Sequence, residues 1–114
     1  VVCDRYYHST LAYQSCTGNA SAERLGWIIE TNRFARRPDL TVVLDVSADM
    51  ASERRRLREA SEIYENDDLQ RKLCAFYREI ETHLVDERIE HVDAERSFEE
   101  VAEAIAAAAR AILL

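Results

Sequence analysis

The chain has 114 residues, 47% hydrophobic and 32% charged, which suits one compact domain and argues against disorder. A chain of this size buries only roughly 65% of its unfolded surface, so it holds little stability in reserve. Its net charge of −7, from 22 acidic and 15 basic residues, argues against a general phosphate-backbone grip on nucleic acid.

The first element expected is a short buried strand, VVC at 1–3. This apolar run carries no initiator Met and no charged n-region, so it reads as a cut rather than a natural beginning, with no signal peptide or membrane span. Leu25, Ile28, Ile29 and Phe34 stand near helical spacing and predict a helix over 20–34. A second buried strand, TVVLDV at 41–46, follows Pro38-Asp39, and a helix over 48–58 follows Ser47 or Asp49 as its cap. The polar stretch 59–68 reads as a loop. Leu69, Leu73, Phe76, Tyr77, Ile80 and Leu84 then mark one face of the strongest helix in the chain. A third strand spans 89–92, and Ser97-Phe98-Glu99-Glu100 forms a capping box for a last helix that carries Val101, Ile105, Ala108, Ala109, Ile112 and Leu113 on one side. Strands alternating with helices predict an α/β fold, a parallel sheet covered on both faces. The three cysteines, Cys3, Cys16 and Cys74, are an odd number without metal-ligand spacing and read as thiols of a reduced, intracellular chain.

In an open parallel sheet, ligands sit beyond the carboxyl ends of the strands. After the first strand come Asp4, Arg5, Ser9, Thr10, Tyr13 and Gln14, a carboxylate, a guanidinium, three hydroxyls and an amide within eleven residues. Arg5 could clamp a phosphate while Asp4 orients it or meets a metal, and Gln14 could read a base edge through its paired donor and acceptor. The plainer alternative is a solvated strand end with Tyr6 and Tyr13 as core packing. Arg54, Arg55, Arg56 and Arg58 cluster at the end of a predicted helix, where cations are favourable in any case; Arg54 and Arg58, four apart, share a face. His8, His83 and His91 are scattered and read as structural or exposed. The chain holds no glycine-rich phosphate loop, no GxSxG and no Cys/His nucleophile pair.

Together DRYYHSTLAYQ at 4–14, PDLTVVLDV at 38–46, the arginines from Arg54, Tyr64-Glu65, Phe76-Tyr77 and HVDA at 91–94 resemble the thymidylate kinase family in order and spacing over nearly the whole chain. The resemblance implies transfer of the ATP γ-phosphoryl group to dTMP, giving dTDP, with Mg²⁺, as a step of nucleotide biosynthesis in the cytoplasm. It also implies a three-layer P-loop-kinase-like parallel sheet flanked by helices, present as a partial domain. Residues 1–114 would be the C-terminal part of one such domain, with a lid at about 55–68. Asp4 and Arg5 match the family's catalytic pair beside the acceptor phosphate, Asp4 also on the metal side. Arg5, Ser9, Thr10, Tyr13 and Gln14 fall on the substrate side, with Thr10 and Gln14 facing the base, and Arg54, Arg58 and Asp93 on the ATP side. The implied partners are small-molecule nucleotides, neither a nucleic-acid polymer nor a membrane, and a second copy in a homodimer.

Three features depart from the family's pattern: His8 stands where an acidic or small residue is usual, Ser15-Cys16-Thr17 stand where glycines are common, and no Asp-Arg pair precedes Glu65. The family's GxxxxGK[ST] loop and its strand would lie upstream of Val1, so the isolated chain is expected to be inactive and poorly folded. A non-catalytic nucleotide-binding paralogue and a deoxynucleoside kinase are the alternative readings.

Overall fold

A computed structural model describes residues 1–17, 22–57 and 67–113, with the side chains of 22 and 55–57 outside the description. The chain forms two compact units, Val1–Arg36 and Arg37–Leu114.

In the first unit, helix α1 (Tyr7–Cys16) packs against α2 (Ala22–Thr31). Helix α1 has no clear apolar periodicity in the sequence, because tyrosines interrupt its polar face and a histidine sits on its apolar one. The structure sorts them: His8, Leu11 and Ala12 are buried. On α2, Ile28 is buried, whereas Ile29 lies partly open and Trp27 and Phe34 are largely exposed. Phe34 lies beyond the helix end and takes the Arg33 guanidinium over its ring at 4.5 Å. The strand expected at 1–3 does not form: the segment is irregular, and Val1 and Val2 are fully exposed. A strand exists by pairing, and three residues offer few ladder bonds. Among the described residues the sheet contains two strands, which pair with each other.

Those strands, β1 (Thr41–Asp45) and β2 (Ile89–Asp93), belong to the second unit and run parallel, in register from Thr41↔Ile89 to Asp45↔Asp93. Backbone bonds from Thr41 to Arg88 at 2.9 Å and from Ala94 to Asp45 at 2.8 Å extend the ladder at both ends. The crossover between them carries α3 (Ala48–Leu57) and α4 (Asp67–Arg78), and α5 (Phe98–Leu113) follows β2. Helix α3 packs on α4, α4 on β1 and α5 on β2. The parallel strands with their helices make the fold α/β, as the strand and helix alternation predicts.

The core of this unit holds Val43, Leu69, Leu73, Ile80, Leu84, Val92 and Ala108. Of the expected face, Leu69, Leu73, Ile80 and Leu84 are buried while Phe76 and Tyr77 are half-buried, and the face is not one helix. Helix α4 stops at Arg78, and a 3₁₀ turn at Ile80–Thr82 carries the stripe onward, with Ile80 completely buried. Phe76 of α4 and His83 after the turn stack at 5.0 Å and 5°. Between the two expected caps of α3, Ser47 holds the position: its hydroxyl accepts the Met50 amide at 3.1 Å. Of the capping box expected at Ser97 the serine cap forms, with the Glu100 amide 3.2 Å from the hydroxyl, and that hydroxyl donates to the Glu100 carboxylate at 3.0 Å. Arg58 and most of the expected lid, including Tyr64-Glu65, lie outside the described residues. Among the described residues no helix is long and apolar enough to cross a membrane. The three cysteines, all described, form no disulfide.

Candidate functional site

Helix α1 turns by about 100° per residue. His8, Leu11 and Ala12 therefore cluster on one side, and Ser9, Thr10, Tyr13 and Gln14 fall on the opposite one. Burial follows this division: the first three are buried, Ser9 and Tyr13 are half-buried, and Thr10 and Gln14 are exposed. Thr10, Tyr13 and Gln14, three and four apart, form one continuous strip.

At the head of that strip stands Arg5, whose φ of 64° makes it the one non-glycine residue with a left-handed backbone among those described. For an L-residue this crowds Cβ against the carbonyl and costs about 1–2 kcal/mol. The Cys3 thiol donates to the Arg5 carbonyl at 3.2 Å, and the Arg5 guanidinium lies 6.0 Å from the Tyr13 ring centroid, at the outer limit of a cation–π contact. The structure thus brings Arg5, Ser9, Thr10, Tyr13 and Gln14 to one side of the first unit, with Asp4 exposed beside Arg5. Tyr6 does not pack in the core: it is partly exposed, and its hydroxyl donates to the Arg36 carbonyl at 3.1 Å. Gln14 is not isolated, since Arg24 of α2 donates to its Oε1 at 2.7 Å.

In the second unit, the carboxyl ends of β1 and β2 gather a separate polar group. Arg54 of α3 donates through Nη2 to the Ala94 carbonyl at 2.7 Å. Asp93 accepts the Glu95 amide at 3.0 Å, and the Ser47 hydroxyl donates to Glu95 at 2.8 Å. Arg54 and Asp93 are therefore both placed at the turn that leaves β2. A nearby groove lined by Asp49, Ser52, Glu53, Asp67 and Arg71 is rich in carboxylates, which suits a polyphosphate poorly.

His91 on β2 has more structure around it than its scattered position in the sequence suggests. Its Nδ1 lies 2.6 Å from the Asp45 carboxylate, and its Nε2 bonds the Glu81 carboxylate. Burial by itself lowers the His91 pKa, but the hydrogen bonds to Glu81 and Asp45 and their charges outweigh it and raise the value above 6.5. No sequence signal marks this clasp or the Arg24 contact, because both depend on residues brought together from separate elements.

Comparison with known proteins gives the family. The model of the family described as Thymidylate kinase matches residues 1–105. The chain is 40% identical to a probable thymidylate kinase of Staphylothermus marinus over 105 residues, covering 89% of this chain and 48% of that protein. It is 38% identical to a probable thymidylate kinase of Pyrococcus abyssi, covering all of this chain and 53% of the relative. To a thymidylate kinase of Rhodopseudomonas palustris it is 36% identical, with all of this chain and 51% of the relative covered. The chain spans about half the length of the curated relatives it matches.

Proposed function

The chain belongs to the thymidylate kinase family, and from that premise we propose that the whole protein transfers the γ-phosphoryl group of ATP to dTMP, giving dTDP and ADP. The observation that carries this reading is the polar strip of α1 with Arg5 at its head in a left-handed backbone. Strained non-glycine residues persist where the surroundings hold them, and they concentrate at sites where a side chain must point one way.

Phosphoryl transfer asks the protein for positioning and charge neutralisation rather than covalent chemistry. Arg5 binds the acceptor phosphate through its planar fork of donors, and Ser9 and Thr10 offer hydroxyls along the nucleotide. Tyr13 offers an aromatic face to the nucleoside, and Gln14 an amide to the base edge. In the second unit, Arg54 and Asp93 take the ATP side, with Arg58 and the lid at about 55–68 assigned by resemblance. Arg54's bond to Ala94 supports that role, because it fixes the guanidinium plane against which a base could stack.

Mg²⁺ fits the residues in one mode. Among the described residues no group of three or more His, Cys, Asp and Glu could hold a metal ion. Mg²⁺ in phosphoryl-transfer sites is commonly held by one or two carboxylates together with waters and substrate phosphates. Asp4, an exposed carboxylate next to Arg5, would supply such a ligand, and the ion would neutralise charge on the phosphates. The 114 residues are read as the C-terminal part of one domain, working in the cytoplasm. The largely exposed Trp27 and Phe34 support a homodimer through this half, checked by light scattering of the full-length protein.

The activity is tested by following ADP formation by the full-length protein with ATP and Mg²⁺. Turnover with dTMP and none with thymidine is expected. Turnover with thymidine alone would make the protein a deoxynucleoside kinase, and turnover with neither would leave a nucleotide-binding paralogue.

A further inference from the structure

The contact between Arg24 and Gln14 fixes which half of the Gln14 amide faces outward. A guanidinium carries five N–H donors and no acceptor, so the amide atom it meets must be the oxygen. The structure has this arrangement, with Arg24 Nη2 2.7 Å from Gln14 Oε1. The other amide atom, Nε2, carries the two N–H donors and is not the atom that Arg24 meets. The contact with Arg24 therefore biases the amide toward presenting its N–H end to a ligand, although the oxygen keeps a second lone pair.

We propose that Arg24 is a positioning residue for base selection, holding Gln14 so that it accepts a 4-oxo pyrimidine nucleotide and rejects a 4-amino one. This rests on the reading of Gln14 as facing the base. A carbonyl at the pyrimidine 4-position, as in thymine or uracil, accepts the outward N–H. At the 4-position the amino group of cytosine sets donor against donor, and a hydrogen bond left unmade there costs more than a made one gains. Arg24 comes from α2, ten residues from Gln14 and on the helix packed against α1. Base selection is then coupled to the packing of the two helices, and Arg24 itself need not touch the nucleotide.

The test compares kcat/KM for dTMP and dCMP in the full-length protein and its variants. Arg24→Ala frees the amide to turn and is expected to lower the dTMP-to-dCMP ratio about 3- to 10-fold, through KM with kcat little changed. Arg24→Lys, which also only donates, is expected to keep the ratio. Arg24→Glu offers an acceptor to the amide nitrogen, so it should turn the amide round and lower the ratio further. Gln14→Leu tests the underlying reading and should collapse the ratio. If Gln14→Leu collapses it but the Arg24→Ala and Arg24→Glu ratios equal the wild type, the role of Arg24 is overturned and Gln14 keeps its own. Equal losses in Arg24→Ala and Arg24→Lys would likewise overturn it, as the mark of a packing role. An unchanged ratio in Gln14→Leu would remove the base-facing reading itself.

Discussion

At the start of α5 the Ser97 hydroxyl accepts the Glu100 amide at 3.2 Å and donates to the Glu100 carboxylate at 3.0 Å, and two glutamates occupy the first turn. At the start of α1 the cap position is Tyr6, with no side-chain capping bond and no acidic residue in the first turn, and Arg5 before it is left-handed. The first helix end satisfies local stability rules; the second breaks them in successive residues. Local rules fail most often where a site needs a geometry that stability alone would not choose. The contrast therefore sets a helix start in the second unit that follows local stability rules against one in the first unit that departs from them beside the residues proposed to meet the acceptor.

The contrast can be sharpened or broken by substitution in the full-length protein. The largest effect is expected in the scaffold. Ile80 is completely buried, and Ile80→Ala should cost about 2–5 kcal/mol in urea unfolding. A loss below 1 kcal/mol would show that the 3₁₀ turn does not anchor the core. Ser97→Ala should cost about 1 kcal/mol through loss of the cap. No measurable change would remove the capped member of the comparison.

Arg5→Gly is the reverse case. Glycine adopts the left-handed backbone without a Cβ clash, so the variant should hold or gain up to about 1 kcal/mol of stability while turnover is lost. A destabilised Arg5→Gly would mean that the arginine serves the fold rather than the substrate.

The smallest effect concerns His91. Its pKa is raised in the folded state, so its contribution is present in full below the unfolded value of about 6.5 and fades as pH rises through the higher folded value. The stability difference between wild type and His91→Gln should therefore shrink from about pH 6 to pH 9 in urea titrations. A difference that grows with pH would contradict the clasp.

Much of the scaffold was legible in the sequence. The apolar runs around Val43 and Val92 and the step pattern of Leu69, Leu73 and Ile80 report burial directly, and Ser47 and Ser97 are local caps. The segment at 1–3 misled because apolar character reports a preference for burial, whereas a strand also needs a neighbour. The break at Arg78 leaves no mark in the sequence, because residues three and four apart keep pointing inward through a 3₁₀ turn. In the candidate site, residue types were legible from Asp4 to Gln14, but the bond from Arg24 was not, since it joins two helices. The carboxylates around His91 escaped for the same reason: Asp45, Glu81 and His91 come from a strand, a turn and a second strand.

The central claim is that Arg5 holds the acceptor phosphate. Steady-state kcat/KM for dTMP, measured on the full-length protein and its Arg5→Ala variant, tests it most directly. A loss of about 100-fold is predicted, the value for a charged hydrogen-bonded group, with KM raised and kcat lowered together because the phosphate is gripped both when bound and when reacting. An Arg5→Ala enzyme with the wild-type kcat/KM would contradict the account.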